Sequence, residues 1–139
     1  RQRLTPPLVS TFCVRTKSCK SVSRTSSEGT EVVVGLWNDG RIGTVRGIRE
    51  GKSQYGGHAF TDQGIVSTGE YQGYEALLKE ILKFFVTRVP PISEKETLEI
   101  FAFIDAADES KRAGGKVISM DKIYQKKEKE ARKLIRKLK

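Results

Sequence analysis

The residues able to do chemistry are few and scattered. One histidine occurs in the 139 residues, His58, in the run YGGH. A general base or metal ligand needs neighbours, and a metal site needs several converging donors; there is no second histidine. His58 is therefore expected in a loop or at a strand end. Cys13 and Cys19 are separated by five residues, which matches no zinc or redox spacing, so they are expected as ordinary thiols. The glycines Gly43/Gly47 and Gly56/Gly57 fit neither the dinucleotide fingerprint nor the phosphate loop. No parallel βαβ pattern is present to position such a loop. Asp105, Asp108 and Glu109, in IDAADES, look like paired carboxylates, but a helical wheel puts Asp105 and Asp108 next to Lys111 and Arg112. Ion pairing within the helix is the simpler expectation. Nowhere do a nucleophile, a base and oxyanion donors assemble. The sequence thus assigns no catalytic, cofactor-binding or metal-binding residue.

The length and the 37% apolar content suit one modest domain. No long uncharged apolar run could span a membrane. Two cysteines are too few for a disulfide scaffold. The formal charge of +9 is divided unevenly. Residues 1–24 carry +6, residues 121–139 carry +6, and the body between them carries −3. Basic ends on a slightly acidic body predict solvated tails with weak, nonspecific affinity for nucleic acid, not a phosphate-tracking surface. No specific nucleic-acid partner and no membrane partner are expected. Residues 1–18 contain Pro6-Pro7 and no secretory pattern, so they are expected as a poorly ordered leader, with one short strand over 8–14, on a cytoplasmic protein.

From residue 19 the pattern is β. Strands are expected over 19–25, 31–37 (EVVVGLW) and 41–49, with turns at Ser26-Ser27-Glu28-Gly29 and Asn38-Asp39-Gly40. A second hairpin, 57–61 and 65–69, surrounds Asp62-Gln63-Gly64. In the strand over 41–49, Gly43, Val45 and Gly47 share one face, a close-approach strip for a helix or, preferentially, a second copy of the chain. After residue 69 the period becomes helical. Tyr74, Leu77, Leu78, Ile81 and Phe85 mark one helix over 73–86, stopped by Pro90-Pro91. Ser93 and Glu96 form a capping box for the next, over 93–113, with Ile100, Phe103, Ile104 and Ala107 as its buried stripe and Gly114-Gly115 as its end. A short strand, 116–120, leads into a charged helix over 121–139. Ile123, Ala131, Leu134, Ile135 and Leu138 form its narrow apolar side, expected to pack on its own domain. The fold class is α+β: an antiparallel sheet with helices on one face, plus a charged C-terminal helix. The divisions are a leader (1–18), an α+β domain (19–120) and the helix (121–139).

Residues 31–120 resemble a known family. The most telling stretch is FF-(x)4-PPIS-(x)3-TLEIFAFIDAADESKRAGGKV, preceded by EVVVGLWNDGRIGTVRGIREG and YGGHAF. It is similar to the C-terminal end of the Gfo/Idh/MocA oxidoreductases. The resemblance implies a two-part enzyme in which a Rossmann domain binds NAD or NADP. An α+β domain then supplies the substrate pocket and a broad sheet for subunit association. Members act on sugars and polyols by hydride transfer. The glycine loop, the Glu-Lys-Pro motif and the downstream acid/base residues of the family have no counterpart here, and His58 does not match the family's histidine motif. The unrelated look of residues 1–18 suggests a truncated, rearranged or frame-shifted gene. The expectation is a fragment that is not catalytic alone and binds no cofactor itself. It is expected as a homo-oligomer through its open sheet face, with a separate Rossmann-domain chain as a candidate partner. The alternative is a stand-alone, non-catalytic binding or assembly module.

Overall fold

The computed structural model describes residues 19–51, 56–68 and 73–138. The expected leader, its strand over 8–14, Cys13 and Gly69 lie outside the described residues. In chain order the elements are β1 (Cys19–Ser26), β2 (Thr30–Trp37), β3 (Ile42–Ile48), β4 (Gly57–Thr61), β5 (Gly64–Thr68), α1 (Glu75–Thr87), α2 (Glu94–Arg112), β6 (Ile118–Ser119) and α3 (Met120–Leu138). They form two compact units. One holds β1–β3, α2, β6 and α3; the other, Glu50–Ser93, holds β4, β5 and α1.

In the first unit four antiparallel strands run in the order β3-β2-β1-β6. The β2–β3 turn closes on Gly40, whose φ of 86° is open to glycine at no steric cost. Asp39 fixes the same turn by accepting from the backbone N–H of Arg41 and from its guanidinium, whose hydrogen bonds hold the Asp39 carboxyl below its usual range. An irregularity between Cys19 and Ser21 puts an extra residue into β1. It re-phases the strand, so that Cys19 and Val22, three apart, both turn inward.

Strand alternation divides the sheet into two faces. Arg24, Val33 and Val45 form one inward row, and Val22, Gly35 and Gly43 the next. Across them lies α2, with Ile100, Phe103, Ile104 and Ala107 buried as the periodicity predicts, and Ala102, Ala106 and Ser110 buried beside them. Phe103 stacks on Trp37 with ring centroids 6.2 Å apart. Gly35 makes this contact possible, because a Cβ there would stand 2.8 Å from the Trp37 ring and 2.9 Å from the Phe103 ring. At its C-terminus α2 stops in a Schellman motif: Gly115 N–H donates to Ser110 O, Gly114 N–H to Lys111 O, and Gly114 has φ 70°.

Several sequence expectations need correcting. The strip of Gly43, Val45 and Gly47 does not face a second copy. Val45 is 5% exposed and lies in the core under α2, while nothing stands within 4 Å of where a Gly47 Cβ would be. The close-approach glycine is Gly35. The ambiguity arose because Ile42 and Ile48, on the other face of β3, are also apolar. Second, the strand before α3 shortens to Ile118–Ser119. Met120 already begins the helix, with Asp121 favourably placed in its first turn. Third, α1 does not bury its stripe: it belongs to the second unit, and none of its residues is buried. Fourth, α3 buries only Met120 and Ile123, not the whole apolar side. In the second hairpin Thr61 pairs with Gly64, so β5 starts one residue earlier than the sequence suggests.

Candidate functional site

The densest chemistry lies inside the first unit, between the sheet and α2. Arg24 (2% exposed) and Glu31 (4% exposed) come from β1 and β2 on the inward face. Glu31 accepts from three cations: one oxygen from Arg24 Nη2, the other from Arg49 and from Lys111 Nζ at 2.5 Å. Arg24 also donates through Nη1 to Asp108 Oδ1 at 2.5 Å. α2 thus supplies Asp108 and Lys111 to opposite signs of one cluster. Ser110, fully buried between them, accepts from the Arg24 backbone N–H at 2.8 Å and donates to Lys116 O at 2.7 Å. Its hydroxyl continues the pairing of β1 beyond Val22, where β6 has ended. The Arg24 Nε is buried without a hydrogen-bond partner.

Chemically this is a clamp. Its cations converge on a carboxylate already inside the protein, and that carboxylate is saturated by them. The arrangement fixes α2 to the β1–β2 hairpin; it presents no nucleophile and no vacant acid–base pair. A buried pair of this kind defines geometry more than it adds net stability.

The carboxylates of IDAADES do not pair mainly within their helix, as the sequence suggests. Asp108 reaches Arg24 on β1, and Asp105 reaches Lys127 on α3 at 3.0 Å. Only Glu109 has a partner in its own helix, Arg112, and it also takes Lys126 of α3 at 3.2 Å. Hydrogen bonds from Arg112 and Lys126 hold the Glu109 carboxyl below its ordinary value, while the bond to Asp105 raises Lys127. The Glu109 contribution is therefore present above the carboxylate's unfolded value and lost as pH falls through its lower folded value. The Lys127 contribution is present below the amine's unfolded value and lost as pH rises through its higher folded one. The α2–α3 tether holds across the whole neutral range.

His58 is exposed on β4, opposite Ser67. Among the described residues no group of three His, Cys, Asp or Glu side chains is placed to hold a metal. Cys19 is a free, buried thiol. Burial pushes it up to about 11, with the Glu99 carboxylate adding to the rise; the thiol itself donates to the Ser21 and Leu36 carbonyls. Glu99 also accepts from the Cys19 backbone N–H at 2.7 Å. The thiolate is the reactive form, so native Cys19 should resist iodoacetamide at mildly alkaline pH while the unfolded chain is labelled. Peptide mapping by mass spectrometry checks this; equal labelling in both states contradicts it.

The clamp was missed in the sequence, yet its signal is there. In EVVVGLW the inward positions are Glu31, Val33, Gly35 and Trp37, so a charge stands in phase with the core. Arg24 does the same relative to Val22.

One solved structure similar to this chain is described as a "putative myo-inositol dehydrogenase" from Sinorhizobium meliloti 1021, with a TM-score of 0.48 and 15% sequence identity. The match covers 75% of this chain and 44% of that one, so the chain spans less than half of that protein's length. No family model matches the chain, and no curated protein matches it. No helix among the described residues is long and apolar enough to cross a membrane.

Proposed function

We propose that this chain is the sheet-bearing C-terminal part of an NAD(P)-dependent, cytoplasmic oxidoreductase of the Gfo/Idh/MocA type that acts on sugars or polyols. By itself it is not catalytic. The supporting observation is how the resembling stretch maps onto structure. Phe84-Phe85 lie near the end of α1, Pro90-Pro91 separate the helices, and TLEIFAFIDAADESKR is the body of α2, whose Phe103, Ala106, Ala107 and Ser110 are fully buried. Gly114-Gly115 then make the helix stop. All strand pairs among the described residues are antiparallel. They offer no parallel strand leading to a helix N-terminus that could cradle a pyrophosphate, so the cofactor belongs to a Rossmann domain outside these residues. Calorimetry with NAD and NADP tests this: the chain alone should show no micromolar binding, and adding a Rossmann domain of this family should restore it. Micromolar binding by the chain alone overturns the reading.

The assembly part of the proposal rests on the outward sheet face. Val32, Val34 and Leu36 of β2 and Ile42 and Ile48 of β3 lie there among Ser23, Thr25 and Thr44, on the side away from α2 among the described residues. A stable interface buries about 800 Å² per partner, and a two-fold contact is the commonest way for identical faces to meet. Val34→Lys, at the centre of that face, should turn a dimer into a monomer by sedimentation while the far-UV circular dichroism of the folded chain stays the same. A wild-type chain that stays monomeric at high micromolar concentration excludes this interface. Dimerisation without any affinity for a Rossmann domain would favour a stand-alone assembly module.

A further inference from the structure

The apolar side of α3 outruns the body on which it packs. Met120 and Ile123 are buried, whereas Leu134, Ile135 and Leu138 are 62%, 56% and 87% exposed. Met120 and Leu138 are eighteen residues apart, about five whole turns, so they point the same way, and Leu134 stands about three turns beyond Ile123. Lys127, the cation nearest the middle of this stripe, is neutralised by Asp105. Between Glu130 and Leu138 no acid occurs: Arg132, Lys133, Arg136 and Lys137 flank a line of apolar residues. Ala131, Leu134, Ile135 and Leu138 fall at i, i+3, i+4 and i+7, the anchor spacing of a helix that lies in an apolar groove.

We propose that the last two turns of α3 are a docking helix for a second protein that carries an apolar groove rimmed by acidic side chains. Charge selects the occupant. A second copy meeting this segment stripe to stripe would set its cations against identical cations, which disfavours the pairing. A flat anionic bilayer is disfavoured by direction. The exposed stripe points the same way as Met120, which is buried against the unit's own body, so that body stands on the side a bilayer would have to occupy. A groove narrow enough to fit beside the body has no such conflict, and acidic rims answer the flanking lysines and arginines.

Calcium-loaded calmodulin, whose calcium form exposes an apolar, Met-rich groove, serves as the probe. Titrated calorimetrically against the full chain, it should bind at micromolar concentration. The Leu134→Gln/Ile135→Gln variant should bind at least about tenfold more weakly, as expected for central anchors. Both side chains are more than half exposed, so the variant should keep the wild-type melting curve. Three results would each overturn the proposal: no binding at high micromolar concentration, binding that the glutamine pair leaves unchanged, or equally tight binding to phosphatidylserine-rich vesicles.

Discussion

Glu31→Gln should destabilise the first unit by about 3–5 kcal/mol, the range for breaking a buried ion pair from one side. The carboxylate is the common acceptor for Arg24, Arg49 and Lys111, and glutamine would leave those three cations with Asp108 alone as a counter-charge. The partners would not suffer equally. Lys111 and Arg49 have side chains 40% and 30% exposed and can swing toward water. Arg24 cannot: its guanidinium is buried and its Nε already lacks a partner. Lys111→Met should accordingly cost no more than about 1 kcal/mol, as for a partly exposed pair. Replacing Arg24 by Met together with Glu31 by Leu should recover much of the loss, because no buried charge is then left uncompensated. Denaturant midpoints at unchanged m value measure all three. An Glu31→Gln cost as small as that of Lys111→Met would mean that Arg24 finds solvent, and that the clamp does not hold α2.

What was legible in the sequence follows from what is local. Turn residues and strand alternation are set by neighbours in the chain, so the β1–β2–β3 meander and the glycine-terminated α2 were readable almost to the residue. The inward stripe Ile100, Phe103, Ile104 and Ala107 was readable for the same reason. Which side of β3 would meet that stripe was not. Gly43, Val45 and Gly47 on one side and Ile42 and Ile48 on the other are both compatible with burial, and only the long-range register of Val33 with Val45 decides between them. The clamp failed for a related reason. Asp108 has Lys111 and Arg112 three and four residues away in sequence, but Arg24, eighty-four residues off, pairs with it instead. Helical spacing likewise found α1 and α3 as helices, but spacing says nothing of how far the supporting surface extends, so most of their apolar sides stay exposed.

Phe103→Ala should cost about 3–5 kcal/mol, the range for truncating a fully buried aromatic side chain. That is a large share of a typical domain's stability, so Phe103→Leu, which retains part of the volume, provides a variant expected to stay folded with a smaller loss. Phe103 is completely buried and stacked on Trp37, and the space its ring occupies exists because position 35 has no side chain. Gly35→Ala should therefore destabilise the otherwise unchanged protein by about 1–3 kcal/mol, as overpacking does. Its Cβ would meet both rings below 3.0 Å. With Phe103 shortened to Leu, one of those two obstacles recedes while the Trp37 ring stays. Gly35→Ala should then cost less, so that the double variant is more stable than the sum of the single changes implies. Neighbours sharing one space couple in this way, and distant sites do not. A control cycle pairing Gly35→Ala with Ile42→Thr, on the opposite face of the sheet, should be additive. If the Gly35 and Phe103 changes were additive as well, the penalty at Gly35 would arise from the Trp37 ring and the strand backbone alone, and the close approach of α2 would not be what requires glycine there.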